Sequence, residues 1–248
     1  MGCILSYKDF LKTYKTRGYR LKHLEGYASL FPVLASPGLA GIVADLMGDG
    51  HLQADPKWRI DFTSKEINEL NRFDKEMNFL FNTKGKIRKC TSNKYSTYNL
   101  AINSSPISRI LFLCGVPSGQ KVLTSFSIPK WIIDDKECFR RFCQRLFTCE
   151  GSINHDGRKT PQIRLEMFKS EELIKDGENF LNSICTYMNR YFSINSNVKV
   201  QNRKNIRKDG IITSPVRMYL SSNSTPLFSK EIGFEGQKQK VLNSLLQI

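Results

Sequence analysis

The chain has 248 residues, 40% of them apolar, with 38 Lys plus Arg against 23 Asp plus Glu, giving a formal charge of +15 and a pI near 9.6. This is enough apolar material for one large domain or two small ones, and so basic a balance makes a polyanion the first partner class to consider. No run of 18 apolar residues exists and residues 1–20 contain no apolar core of secretory length, which argues against a membrane-spanning helix and a secretion signal and for an intracellular protein.

Residues 1–36 form a basic extension, with Lys8, Lys12, Lys15, Arg17, Arg20 and Lys22 set among aromatics. An apolar helix is predicted over 37–47, and it ends abruptly in Gly48-Asp49-Gly50. Strands follow at 51–55 and 58–63. In the second, Trp58, Ile60 and Phe62 alternate with Lys57, Arg59, Asp61 and Thr63, the period of a half-buried antiparallel strand. A helix over 65–81, strands at 85–91 and 97–103 and a helix from 106 complete a first block, 37–120. Residues 121–134 read as a connector.

The second block, 135–248, predicts a helix over 136–148, strands at 152–155 and 162–168 and a helix over 171–191. Strands at 197–204 and 211–221, a helix from 226 and a packed C-terminal helix follow. Ile163, Leu165 and Met167 point inward, and Gln162, Arg164 and Glu166 outward. Val198 and Val200 lie opposite Lys199, Gln201 and Arg203, while Arg217 and Tyr219 face out from the last strand. The exposed faces are rich in Arg, Lys, Gln and Asn, the side chains that bond phosphates and base edges.

The two blocks are a duplication. "LMGDGHL" matches "LFTCEGSI", which sets Glu150 in the place of Asp49. "WRIDFTSKEINEL" matches "IRLEMFKSEELIK", and "NSSPISRILFLCGVPSGQKV" matches "NSTPLFSKEIGFEGQKQKV", in the same order. The expected fold is therefore α+β, with two pseudo-symmetric αββαββα repeats. The seven cysteines include no C-x-x-C, and His23, His51 and His155 have no ligand spacing, so neither a disulfide framework nor a zinc or histidine metal site is expected. No Gly-rich nucleotide loop and no nucleophile with a placed base suggests a metabolic enzyme.

The paired "IVADLMGDG" and "RLFTCEG" resemble the two signature helices of the LAGLIDADG homing endonucleases, over most of the chain from Leu39 onward. The resemblance implies a single-chain monomer in which the two motif helices pack together at the repeat interface beneath a saddle of antiparallel sheets. It implies a site-specific double-strand DNA endonuclease that hydrolyses a long target with Mg²⁺ or another divalent cation such as Mn²⁺ and leaves short 3′ overhangs.

By the same resemblance Asp49 and Glu150, with the main chain at Gly48 and Cys149, hold metal. Lys121 and Lys238 assist catalysis, and Ser64 and Lys169 organise water. Lys57, Arg59, Asp61, Lys86, Arg88, Gln162, Arg164, Glu166, Lys199, Gln201, Arg203, Arg217 and Tyr219 contact DNA, and residues 1–36 form either an arm on flanking DNA or a surface helix. Ala44 and Gly48 are the small residues expected at a close helix crossing. Arg145 and Cys149 in their places are departures that predict a looser crossing at that end. The alternative is a binder without cleavage, an RNA maturase acting on intron RNA or a transcription factor. An intein is disfavoured, because the chain begins Met-Gly-Cys, ends Gln-Ile and leaves no room for a splicing domain.

Overall fold

The computed structural model describes every residue except 1, 15–18, 92–95, 156, 158, 159 and 248, and only the backbone of 19–21. Lys15, Arg17 and the side chain of Arg20 thus lie outside the described residues. The chain forms two compact units, residues 1–119 and 120–248.

In unit 1, β1 (Cys3–Leu5) is followed by α1 (Tyr7–Leu11), α2 (Tyr19–Leu24), a 3₁₀ turn and β2 (Val33–Leu34). β1 pairs antiparallel with β2, and Phe10 is fully buried between Tyr7, Tyr14 and Phe31. The guanidinium of Arg109 donates to the Thr13 carbonyl at 2.7 Å and stacks on the rings of Tyr14 and Trp58. Residues 1–36 are therefore neither a separate arm nor a plain surface helix. Burying Phe10 and Leu5 makes this segment part of the unit's core.

The motif helix α3 (Pro37–Met47) starts where the Ser36 hydroxyl accepts from the Leu39 amide, with Pro37 in the first turn. Every residue from Leu39 to Met47 is buried. β3 (Gly50–Gln53), β4 (Arg59–Ser64), α4 (Ile67–Phe81), β5 (Lys86–Lys89), β6 (Tyr98–Ile102) and α5 (Ser105–Leu113) follow. The sheet order is β3-β4-β6-β5, all antiparallel. One face carries Ile60, Phe62, Leu100 and Ile102 against Leu70, Phe73, Met77 and Phe81 of α4, with Phe62 and Phe73 stacked at 4.6 Å. Trp58 is buried but does not continue the strand as the alternation predicts. Its φ of 46° places it in the turn with Lys57, and β4 starts one residue later.

Unit 2 contains α6 (Lys130–Ile133), α7 (Lys136–Glu150), β7 (Gly151–Asn154), β8 (Gln162–Ser170), α8 (Ile174–Phe192), β9 (Ser196–Val200), β10 (Asn205–Ile206), β11 (Ile212–Leu220), α9 (Thr225–Glu231) and α10 (Gln237–Leu246). Its main order is β7-β8-β11, with β9 and β10 both pairing β11. Replacing β3, β4, β6 and β5 by β7, β8, β11 and β9 reproduces the unit 1 sheet, so the duplication extends to topology.

Two strand predictions change. β9 ends at Val200, which leaves Gln201 and Arg203 in the loop to β10, and Val200 is exposed rather than inward. Met167, expected inward, is only half-buried. No helix among the described residues is long and apolar enough to cross a membrane.

Candidate active site and polar sheet faces

α3 ends at Met47, the Gly48 amide donates to the Ala44 carbonyl at 2.8 Å, and the next residue, Asp49, is exposed. In unit 2 the helix runs two residues further, so Glu150 is its last residue and is also exposed. Each motif helix thus delivers one carboxylate to the surface at its negative end, α3 buried from Leu39 to Met47 and α7 buried along one side. That placement is unfavourable for the helix dipole unless a cation is near.

The glycine after each acid has a packing reason. A Cβ on Gly50 would lie 2.8 Å from Leu46 Cα, and one on Gly151 would lie 2.4 Å from the Phe147 carbonyl oxygen. The strand folds back over the helix's last turn, and only glycine fits. Gly-Asp-Gly is therefore a helix end, an exposed acid and a tight return, rather than a plain turn.

In unit 2 a cation is already there. Lys238, the second residue of α10, donates to the carbonyls of Thr148 at 2.5 Å, Gly151 at 2.9 Å and, less closely, Cys149 at 3.4 Å. Its ammonium sits on the carbonyl end of the helix that carries Glu150. The Gly119 amide donates to the Leu52 carbonyl at 2.9 Å and Ser118 pairs alongside Leu52, which brings the end of unit 1 beside β3. Lys121 belongs to unit 2, where it opens a short 3₁₀ turn.

Ser64 ends β4, and its hydroxyl accepts from the Glu66 amide at 3.1 Å at the entry to α4. Lys169 is 1% exposed. Its ammonium donates to the carbonyls of Lys121 at 2.8 Å and Thr124 at 2.6 Å and lies 4.0 Å from the centre of the Phe126 ring. Burial pulls its pKa down to about 8, against a smaller opposing pull from Asp176.

The polar sheet faces are ordered by register. In unit 1, His51, Asp61, Ala101 and Lys86 form one row, and Thr63, Asn99 and Arg88 another. Arg59 pairs with Asp61 at 2.7 Å, and Asn99 donates to Thr63 at 3.2 Å. In unit 2, Ser152, Arg164, Tyr219 and Asn197 form one row, and Glu166, Arg217 and Lys199 another. Arg164 donates to Ser152 at 2.7 Å, and Arg217 pairs with Glu166, whose carboxylate raises the arginine's pKa further. Lys57, Lys86, Arg88, Lys199 and Arg203 are exposed, and Gln162 and Gln201 half-exposed.

Inside the motif helices, Asp45 escaped the sequence analysis altogether and Arg145 entered it without a partner. Asp45 is fully buried and accepts from Arg72 of α4 at 2.7 Å, while Arg72 also binds Glu69 and Glu76. Arg145, fully buried, pairs with Glu235, which also pairs with Arg141. The signal was present: a charge in a helix otherwise apolar on that side demands a partner.

No family model matches the chain. Among curated proteins it is similar to a tRNA-splicing ligase RtcB of Methanopyrus kandleri, 29% identical over 182 residues, and to a replication factor C small subunit of Methanocaldococcus jannaschii, 32% identical over 126 residues. These matches take in 68% and 46% of the chain but only 18% and 7% of the relatives' own length. Among solved structures, variants of the homing endonuclease I-DmoI align with a TM-score of 0.54 at 15% identity, covering 84% of this chain and 97% of theirs. The homing endonuclease I-WcaI, bound to its DNA recognition sequence, aligns with a TM-score of 0.54 at 11% identity, covering 93% and 96%. Full-length DUF199/WhiA from Thermatoga maritima gives 0.50 at 14% identity, covering 88% and 63%. With the same strand order in both units and an acid at the end of each motif helix, the chain has the fold of the LAGLIDADG homing endonucleases.

Proposed function

We propose that the chain is a site-specific endonuclease that hydrolyses both strands of a long DNA duplex as a monomer, Asp49 serving one strand and Glu150 the other, with short 3′ overhangs. One observation carries the reading: in both units an exposed carboxylate stands at or just past the C-terminal end of the motif helix, followed by a glycine that no other residue can replace without a clash. A protein that only binds a polyanion has no use for two acids so placed.

The donor set suits a hard divalent cation. Asp49 with the Gly48 carbonyl, and Glu150 with the Cys149 carbonyl, offer oxygen only, and the three carbonyls drawn to Lys238 show that this helix end attracts positive charge. Among the described residues no three His, Cys, Asp or Glu side chains converge, so Mg²⁺ or Mn²⁺ held there would complete its shell with water and phosphate. Such a cation, when bound, supplies an acidified water and neutralises charge on the attacked phosphate.

The chain's own residues do the rest. Lys238 and Lys121 add fixed positive charge for the phosphate, and Ser64 orders solvent at the strand end. Lys57, Lys86, Arg88, Lys199 and Arg203 neutralise backbone phosphates. Arg59 with Asp61, Arg217 with Glu166, and Gln162, Arg164, Gln201 and Tyr219 present hydrogen-bonding groups to base edges. Lys169, already committed to two carbonyls, acts by holding the 121–126 segment on β8.

A role without cleavage, on DNA or on intron RNA, is the second reading. The likeness to DUF199/WhiA favours it, since that protein's name carries no nuclease activity.

Cleavage of a randomised duplex library with Mg²⁺ by the wild-type chain and by Asp49→Asn/Glu150→Gln, with the ends sequenced, tests the proposal. A recurrent long site cut on both strands by wild type alone is expected. Recurrent binding with no metal-dependent cutting sinks the catalytic claim, and retention of RNA alone supports the second reading.

A further inference from the structure

On α7, Arg141, Gln144, Arg145 and Thr148 fall at helical spacing on one stripe, and all four bind the same loop, residues 232–238. The Gln144 amide donates to the Ile232 carbonyl at 3.0 Å, and the Glu235 amide donates to the Thr148 hydroxyl at 2.9 Å. Arg141 and Arg145 each pair with the Glu235 carboxylate, one oxygen apiece. Arg145 is fully buried, and Glu235 and Arg141 are mostly so. Phe234 packs on Phe147 and Phe228 on the other side of the loop. Gly236, at φ 63°, turns the chain into α10, whose second residue is Lys238 on the Thr148 and Gly151 carbonyls.

The matching stripe of α3 is Ala40, Val43, Ala44 and Met47, all apolar and buried, and the repeat sets Ser118 in the place of Glu235. These four side chains cannot form an ion pair. The stripe that grips this loop in unit 2 is therefore ionic, while its counterpart on α3 is wholly apolar.

We propose that Glu235, gripped by Arg141 and Arg145, is a positioning residue for Lys238, and that it makes only the Glu150 half of the proposed nuclease depend on an ionic clamp. The inference rests on the endonuclease reading. With the clamp broken, the loop loses its hold on the stripe, Lys238 leaves the helix end, and one strand is cut slowly while the other is cut at the normal rate.

The test follows nicked and linear products from a supercoiled plasmid carrying the target site. For Glu235→Gln, nicked circles are expected to accumulate, with linearisation slowed about 10- to 100-fold, the loss typical of a displaced supporting group. The surviving nick should lie on the strand opposite the one left by Asp49→Asn, and Glu235→Asp should recover part of the lost rate. Because both strands are cut by one molecule, the ratio of products is independent of how much of the variant is folded. Equal slowing of both strands, or no slowing, overturns the inference.

A second readout needs no cleavage: amine labelling of Lys238 followed by mass spectrometry. Faster labelling in Glu235→Gln than in wild type is expected, and equal labelling overturns the clamp even if the chain cuts no DNA.

Discussion

Charged residues that are buried in this protein are each tied to a part of the chain remote in sequence. Asp45 reaches Arg72 on the next helix, Arg145 reaches Glu235 near the C-terminus, and Lys169 reaches the 121–124 carbonyls. Removing Arg72 or Glu235 leaves Asp45 or Arg145, each fully buried, without the charge it pairs with, at a typical cost of about 3–5 kcal/mol.

Lys169 adds a pH dependence whose sign follows from its folded pKa of about 8, below the ordinary 10.5. Below pH 8 the ammonium is charged in both states and its burial penalty is fully present. Between 8 and 10.5 only the unfolded chain holds the proton, so stability rises with pH. Against a Lys169→Met control, which removes the contributions of every other group, the wild-type chain should gain up to about 3 kcal/mol across that window in denaturant titrations. A flat difference would show that the ammonium titrates normally. The sequence placed Lys169 at the end of a strand but not under a covering segment, because nothing local distinguishes a lysine that faces solvent from one that a later stretch covers.

At the scale of elements, the return of the chain onto each motif helix decides what can follow the acid. Gly151 has an ordinary φ of −79°, so its requirement is purely one of space: a methyl group would meet the Phe147 carbonyl and the Phe234 ring. Gly151→Ala is expected to destabilise unit 2 by about 1–3 kcal/mol, the usual cost of overpacking, and to push β7 away from the helix end. Thermal unfolding measures the first. Loss of Lys238 protection in amine labelling measures the second. An unchanged melting temperature would mean that the close approach relaxes freely.

The strands themselves were legible wherever side chains alternate cleanly, as in Ile60 and Phe62 or Ile163 and Leu165. The reading failed at Trp58, where the backbone is still in the turn before β4, and at Val200, the last residue of β9, whose side chain is left exposed at the strand end.

For the whole molecule the relevant quantity is charge. A protein of +15 with basic rows on two sheets is expected to bind duplex DNA chiefly by displacing counterions. If about six to ten phosphates are neutralised, affinity should fall by roughly 10³- to 10⁵-fold between 50 and 200 mM salt, and filter binding across that range is the measurement. Asp49→Asn/Glu150→Gln, which removes two negative charges near phosphate, should keep this slope. A slope near zero would leave the basic faces without a polyanion to serve.

Residues 1–36 show the limit of composition at this scale. Their lysines and arginines suggested an arm, yet Leu5 and Phe10 enter the unit 1 core. One apolar residue per turn is too weak a signal to tell packed from solvated.

The duplication, the order of the main helices and strands in each repeat and the acid that ends or follows each motif helix are legible in the sequence alone. These are set by periodicity, small residues and turn chemistry, which act over a few neighbouring residues. Only the tertiary structure decided which charges meet: Glu235 with Arg141 and Arg145, Lys238 with the carbonyls of α7, Arg72 with Asp45. Each of those contacts closes a long loop of chain, and its partner is selected by where the whole unit folds rather than by any preference of the residues that make it.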